Sequence, residues 1–228
     1  MLRSFIAFVL LLSIAGSAFA KDGPGEVNKA VKKKKVKKTD ARGVPGPIFD
    51  GKTFKGWEGN MEWFRIEDGA VVAGTMKKRI PRNEFLCTKK KYSDFDLRLK
   101  VKLLGGPKAN AGIQFRTKRI PNHHEVSGFQ ADMGGAWWGK LYDESRRRKM
   151  LAGPDAKTKL KVNEGGWNDY RILAEGNHIQ MWLNGVKTVD YVEKEKGIDR
   201  DGIIGLQIHS GIASEAWYKD IKLLDLSK

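Results

Sequence analysis

Turn signals recur so closely along this 228-residue chain that it can form only short secondary-structure elements. Glycine occurs 26 times, and the pairs Gly176-Asn177 and Asn184-Gly185 separate short runs of apolar residues. Asn-Gly between two such runs is the strongest short-range signal of a β-hairpin. About a dozen segments are bounded in this way, and none shows the period of an amphipathic helix. The chain is therefore predicted to be all-β.

The longest regular segment, residues 94–104, predicts how the strands bury their side chains. Phe95, Leu97, Leu99, Val101 and Leu103 alternate with polar or charged residues. A period of two places the apolar side chains on one face of a strand and the polar ones on the other. Two antiparallel sheets packed through their apolar faces satisfy this pattern, so the sequence predicts a jelly-roll sandwich.

The amino-terminal residues are predicted to lie outside this sandwich. Residues 1–20 begin with Arg3, continue as a short apolar run and end in small residues, which indicates a signal peptide that is cleaved on export. We therefore expect a secreted or periplasmic protein without a transmembrane segment after cleavage. Residues 21–46 form a predicted disordered, lysine-rich tail, and residues 47–228 form the predicted β-sandwich domain.

Positive charge is concentrated in the tail and suggests an acidic partner. The chain carries a formal net charge of +16, and residues 21–40 contain eight lysines against three acidic residues. Such a segment cannot bury enough apolar surface to fold alone. In an exported protein we expect a tether to an acidic envelope polymer or a plain spacer, and no nucleic-acid partner. Cys87 is the single cysteine and is expected to be a buried small side chain, so the fold has no internal disulfide.

Three predicted strands share a pattern in which a glutamine is followed two residues later by an ionisable residue. The pairs are Gln114 with Arg116, Gln130 with Asp132, and Gln207 with His209. Residues two apart on a strand share a face. We therefore expect the six side chains to line one groove on the face opposite the core, where amides and charges can bind sugar hydroxyls. The alternative is that they are ordinary solvent-facing positions.

An aromatic cluster follows the second of these strands. Of the adjacent Trp137 and Trp138, one is expected to fill the core, and the other, assigned as Trp138, is expected to stack on a sugar ring together with Tyr142. Residues 125–144 also contain four carboxylates. Glu125 and Asp132 differ in parity, as do the adjacent Asp143 and Glu144, so regular strands would send the members of each pair to opposite faces. The sequence therefore does not predict the carboxylate pair of an ordinary glycosidase.

No motif in the sequence requires a cofactor. The adjacent His123 and His124 fit a turn better than a metal pair, and no zinc spacing or phosphate-binding loop is present. Residues 199–202 carry oxygen ligands that suit calcium, but a plain turn explains them better. A divalent metal is possible, and its identity is left open.

Several of these motifs together resemble one family. The matching stretches are Phe49 to Lys52, Trp63 to Gly69, Gly112 to Arg116, Glu125 to Asp132, Leu141 to Ser145, Trp167 to Tyr170, Leu183 to Gly185 and Gly205 to Gly211. They are spread across nearly all of residues 48–225, and in combination they resemble the 3-keto-disaccharide hydrolases. That family is related to the concanavalin A-like lectins and glucanases, so the resemblance implies the same jelly-roll fold.

The resemblance implies an exported hydrolase that acts on glycosides or oligosaccharides oxidised at C3. The 3-keto group acidifies the C2 hydrogen, so a base can remove it, the C1 substituent can leave, and water can add. The base would be Asp132 or His209, and Arg116 or a metal would stabilise the enolate. Gln114, Gln130 and Gln207 would bind hydroxyls, and Tyr142 or Glu144 would serve the leaving oxygen. The alternative is a non-catalytic carbohydrate-binding module of the cell envelope.

Overall fold

The computed structural model describes residues 43–227, and in this range nearly every regular element is a strand. The strands are β1 Gly46–Pro47, β2 Trp57–Glu58, β3 Phe64–Glu67, β4 Ala70–Thr75, β5 Glu84–Thr88, β6 Phe95–Leu104, β7 Ala111–Arg119, β8 Val126–Met133, β9 Leu141–Glu144, β10 Lys149–Ala152, β11 Asn168–Glu175, β12 His178–Leu183, β13 Val186–Val192, β14 Ile203–Ile208 and β15 Ser214–Asp225. The one helix described is a 3-10 turn over Gly135–Trp137.

The strands form two antiparallel sheets. The eight-stranded sheet has the order β13-β12-β11-β6-β15-β4-β3, with β1 also paired to β15. The seven-stranded sheet has the order β10-β9-β8-β7-β14-β5-β2. The predicted all-β, antiparallel two-sheet sandwich of the concanavalin A-like, jelly-roll type is confirmed.

The core lies between the sheets and follows the alternation of the sequence. In β6 the apolar residues of the predicted stripe are buried, as expected for a strand that faces the core on one side. Phe115 packs edge-on against Phe95 of the opposite sheet, with ring centroids 6.2 Å apart, and stacks on Phe129 at 5.7 Å. Cys87 is free and buried, and burial raises the pKa of its thiol to about 12, which removes it as a nucleophile.

The meander at one side of the eight-stranded sheet confirms the predicted turns. Strands β11, β12 and β13 are joined by Gly176-Asn177 and Asn184-Gly185. Asn184 and Gly185 have φ values of 49° and 79°, the left-handed pair that a tight hairpin turn requires. Asn and Gly suit these positions because few other residues adopt the left-handed conformation without strain.

The predicted signal peptide, residues 1–20, and residues 21–42 of the predicted tail lie outside the described residues. Within residues 43–227 no helix is long and apolar enough to cross a membrane.

Candidate functional site

The three strands that carry the glutamine pattern lie side by side in the seven-stranded sheet, in the order β8-β7-β14 with β9 beside β8. Gln114 is paired with Gln130, and Gln130 with Tyr142. In the next row, Gly112 lies between Asp132 and Gln207. Paired residues share a face, and their neighbours in sequence point into the core. The structure therefore collects these side chains on the outer face of the sheet.

A chain of amide hydrogen bonds runs across this face and ends on a carboxylate. Thr117 Oγ1 donates to Gln114 Oε1 at 3.1 Å, and Gln114 Nε2 donates to Gln130 Oε1. Gln130 Nε2 then donates to Asp132 Oδ1 at 2.5 Å. Gln114 and Gln130 were predicted to bind substrate hydroxyls, but the hydrogen bonds connect them to Asp132. We call Thr117, Gln114, Gln130 and Asp132 the amide relay.

Two residues that flank Gly112 have buried side-chain atoms with no hydrogen-bond partner among residues 43–227. These atoms are the second oxygen of Asp132, Oδ2, and both amide atoms of Gln207. A buried polar atom that lacks a partner costs about 1–3 kcal/mol. Since Gly112 carries no side chain between the two residues, both groups are candidates to contact one ligand.

Glycine makes room for the relay. A Cβ built on Gly112 would lie 2.6 Å from Cδ of Gln130, closer than real side-chain carbons approach. A Cβ on Gly128 would collide with Thr117 Oγ1 in the same way. The side chains of the relay therefore occupy space that any other residue at these two positions would fill.

Asp132 has the electrostatic properties of a proton-transfer group. Its side chain is 3% exposed, and burial raises the pKa of its carboxyl to about 7. The hydrogen bond from Gln130 and the charge of Lys140 lower this pKa, whereas Glu144 raises it. A carboxyl with a pKa near 7 can both accept and release a proton under physiological conditions.

Glu144 and Glu125 extend the acidic group. Glu144 is paired with Gly128 across β9 and β8, so it faces the same side as Gln130. The pKa of Glu144 is raised by burial and by Glu125, and it is lowered by His209. Glu125 precedes β8 and is held by Asn83, whose Nδ2 donates to Glu125 Oε1 at 3.0 Å. The expectation that Glu125 and Asp132 take opposite faces assumed a regular strand, but Glu125 precedes β8, so the strand alternation does not extend to it.

His209 lies at the end of β14, beyond its last residue, Ile208. Its ring is half-buried, and Nδ1 is 2.7 Å from the carbonyl oxygen of Ser210. Asn83 Oδ1 accepts a hydrogen bond from Ser210 N at 2.8 Å, which connects this turn to Glu125. His209 therefore belongs to the Glu144 side of the face.

The expectation that Arg116 shares a face with Gln114 is wrong. Register shifts between Phe115 and Lys118, and Arg116 has a φ of 46°, so a β-bulge breaks the alternation. The buried guanidinium donates to Ser93 O at 2.7 Å, to Gly176 O at 2.7 Å and to Asp94 Oδ1 at 2.8 Å. Arg116 thus connects the two sheets, and its donors point away from Gln114.

The assignment of Trp138 as the stacking ring is also wrong. Trp138 is 5% exposed and packs in the main core, whereas Trp137 is 43% exposed. The ring of Trp137 meets Tyr142 edge-on, with centroids 6.1 Å apart, and Lys140 Nζ lies 5.1 Å from its centroid. Adjacent tryptophans cannot share one environment here, and the turn at Gly135–Trp137 gives Trp137 the exposed position. The sequence contained both residues but no signal that distinguishes them.

The carboxylates Asp143 and Asp199 form ion pairs within the protein. Asp143 points to the other side of β9 from Glu144, as predicted, and is bound by Arg146 at 3.0 Å and by Arg147. Asp199 pairs with Lys118 at 2.8 Å. In the described part of the chain, no group of three or more His, Cys, Asp or Glu residues is arranged to hold a metal ion.

The two antiparallel sheets, packed through their apolar faces, define a sandwich of the concanavalin A-like class. Residues 45–224 match the model of the 3-keto-alpha-glucoside-1,2-lyase-like domain, and the chain belongs to this family. The predicted family resemblance is confirmed. No curated protein sequence matches the chain.

Similar solved structures support the fold. Two are described as a "putative glycosyl hydrolase" from Parabacteroides distasonis ATCC 8503. One has a TM-score of 0.60 and 21% identity, covering 79% of this chain and 93% of the other. The second has a TM-score of 0.56 and 22% identity over 80% of this chain and 98% of the other. The carbohydrate-binding module CBM66 from Bacillus subtilis has a TM-score of 0.51 and 14% identity over 74% and 94%. At these identities the likeness concerns the fold alone.

Proposed function

We propose that this chain cleaves the C1–oxygen bond of 3-keto-glycosides, and that Asp132 is the general base that begins the reaction. The observation that carries the proposal is the state of the Asp132 carboxyl. One oxygen is fixed by Gln130, the other has no partner among residues 43–227, and the pKa is about 7. Family membership supplies the substrate class, since the family description names a 1,2-lyase of 3-keto-glucosides.

The chemistry follows from the 3-keto group. Asp132 Oδ2 takes the proton from C2, and the electron pair of the C2–H bond moves into the C2–C3 bond while the keto oxygen becomes an enolate. The enolate then returns its electrons, C1–C2 becomes a double bond, and the C1 oxygen leaves with its bonding pair and takes up a proton. Addition of water across C1 and C2 completes a net hydrolysis, so one base, one enolate stabiliser and one acid suffice.

Other residues of the face fit the remaining roles. Gln207 replaces Arg116 as the proposed enolate stabiliser, because its amide donor is buried and unpartnered among the described residues. Glu144 or Tyr142 protonates the leaving oxygen, since burial raises the pKa of both groups and so favours their protonated forms. His209 lies near Glu144 and influences its pKa. We therefore assign His209 to the acid that protonates the leaving oxygen, and not to the base that removes the C2 proton.

The test is turnover of a 3-keto-glucoside by the purified protein, followed by release of the alcohol. Asp132→Asn should lower kcat by about 100- to 10,000-fold, the usual contribution of a positioned base. The exposed Asp169, which pairs with Lys100, provides the matched control Asp169→Asn and should leave kcat unchanged. Full activity of Asp132→Asn would refute the assignment of the base.

A non-catalytic binding module is the second candidate, supported by the similarity to CBM66. Wild-type protein that binds 3-keto-glycosides but never releases the alcohol would establish it. Detection of an unsaturated C1–C2 product before the hydrated sugar would instead establish elimination.

Export and the tail form a separate part of the proposal. We propose that residues 1–20 direct export and that the lysine-rich tail binds an acidic envelope polymer. Deletion of residues 21–40 should then abolish retention on isolated envelopes at low salt, since screening weakens such contacts. Unchanged retention would contradict this role.

A further inference from the structure

Trp137 stands out among the residues that surround the site. In the described part of the chain, it is the only aromatic residue among the large hydrophobic side chains that are exposed. Lys140 lies over its ring and Tyr142 meets its edge, yet 43% of Trp137 stays accessible. An exposed tryptophan at the edge of a buried polar site is the residue type that binding sites use for ring-shaped ligands.

The backbone connects Trp137 closely to Asp132. Asp132 N donates to Lys140 O at 2.9 Å, and Lys140 N donates to Trp137 O at 3.0 Å. Tyr142 is paired with Gln130, the relay residue that holds the Asp132 carboxyl. The tryptophan therefore lies at the edge of the polar face, in the turn between β8, which carries the proposed base, and β9.

The turn that carries Trp137 is also fixed in place. Tyr170 OH donates to Asp132 O at 2.5 Å and accepts a hydrogen bond from Gly139 N at 2.8 Å. A Cβ on Gly139 would lie 2.8 Å from Thr188 Cγ2, so the turn packs directly on β13. Because the backbone of this turn is held before a ligand arrives, little free energy is lost in ordering the turn when the ligand binds.

We propose that Trp137 and Tyr142 form the subsite for the leaving group at C1, and that the preferred substrates carry a ring there, either a second sugar or an aryl group. This inference rests on the proposed function. Trp137 would stack on the flat apolar face of that ring, and Tyr142 would border its oxygen-linked side. Trp137 is a specificity-determining residue in this scheme and takes no part in proton transfer.

The experiment compares a 3-keto-disaccharide and a nitrophenyl 3-keto-glucoside with methyl 3-keto-glucoside, whose leaving group has no ring. Trp137→Ala should raise KM about tenfold for the two ring-bearing substrates and change it less than twofold for the methyl glycoside, with kcat kept, because a uniform binding contact is removed. Trp137→Phe should restore most of the affinity, with KM values for the ring-bearing substrates close to those of the wild type. Trp182 lies in β12 of the opposite sheet, where its ring packs against Arg171 and Lys187. Trp182→Ala is therefore the matched control and should resemble the wild type.

If Trp137→Ala changed KM equally for all three substrates, or for none of them, the inference would be overturned while the proposed function stayed in place. If the wild type turns over none of them, the proposed function fails, and binding alone decides the inference. Calorimetry should then show that the wild type binds phenyl glucoside more tightly than methyl glucoside. The Trp137→Ala variant should bind the two ligands with equal affinity. Equal affinity of the two ligands for the wild type would overturn the subsite.

Discussion

Replacement of Asp132 by asparagine should change how the stability of the protein depends on pH. The folded state raises the pKa of this carboxyl from 3.8 to about 7, chiefly through burial. Between these two values the folded protein retains a proton that the unfolded chain releases. The wild type therefore loses stability as pH rises from about 4 to about 7, and it regains that stability when the pH falls. Asparagine has the same shape, accepts the Gln130 hydrogen bond and does not titrate.

The magnitude follows from the size of the shift. Each pKa unit corresponds to about 1.4 kcal/mol, so a shift of about three units limits the effect to about 4 kcal/mol. Part of the loss already occurs below pH 5. Between about pH 5 and about pH 8, the free energy of unfolding of the wild type should fall by about 2–3 kcal/mol relative to Asp132→Asn.

Urea denaturation followed by tryptophan fluorescence measures this difference at a series of pH values. The difference between Asp132→Asn and the wild type should widen steadily as the pH rises. Asp169→Asn, at an exposed position paired with Lys100, should run parallel to the wild type. A constant difference between Asp132→Asn and the wild type across the range would show that Asp132 does not hold its proton near neutrality.

Three further predictions concern neighbouring contacts. Gln130→Leu removes the donor that lowers the pKa of Asp132, so the midpoint of the pH–rate profile should move to higher pH; an unmoved midpoint would contradict the relay. Arg116→Leu leaves three half-buried acceptors without their donor and should reduce the free energy of unfolding by about 1–3 kcal/mol in urea titrations, while an unchanged free energy of unfolding would contradict its role between the sheets. Trp138→Ala should cost about 3–5 kcal/mol by the same assay, whereas Trp137→Ala should cost less than about 1 kcal/mol; equal losses would contradict the burial of Trp138.

The fold was predictable because its signals are local. The alternation within β6 fixes which side chains face the core, and the left-handed conformation at Asn184 and Gly185 requires the residue types that the sequence displays there. Strand alternation also brings Gln114, Gln130, Asp132 and Gln207 to one face, because each lies within a regular part of its strand. Adjacency of β8, β7 and β14 was the additional fact that only the structure supplied.

The errors occur where the backbone leaves regular geometry. Arg116 is two residues beyond Gln114, yet the bulge between Phe115 and Lys118 reverses its side. A Cβ on Gly202, the residue before β14, would lie 2.5 Å from the carbonyl carbon of Arg116, so the bulged backbone packs directly against Gly202. This contact joins residues about 85 positions apart in the sequence, and no sequence pattern near Arg116 predicts the bulge. The assignment of Trp138 as the exposed ring is wrong for the same reason, because both tryptophans lie at a turn, where the backbone also leaves regular strand geometry.

The glutamines show why residue type alone did not give their roles. An amide at a buried strand position is unfavourable unless its donor and acceptor are bound. Gln114 and Gln130 meet this condition through each other and through Asp132, so their burial is explained by the protein itself. Gln207 has the same sequence context and is equally buried, but neither of its amide atoms finds a partner among residues 43–227. Among the residues of this sheet face, the buried polar atoms that lack a partner are therefore those of Gln207 and Asp132 Oδ2, on either side of Gly112. A 3-keto sugar fits this arrangement, because its keto oxygen can accept a hydrogen bond from Gln207 Nε2, a hydroxyl can donate to Gln207 Oε1, and its acidic C2–H can face Asp132 Oδ2.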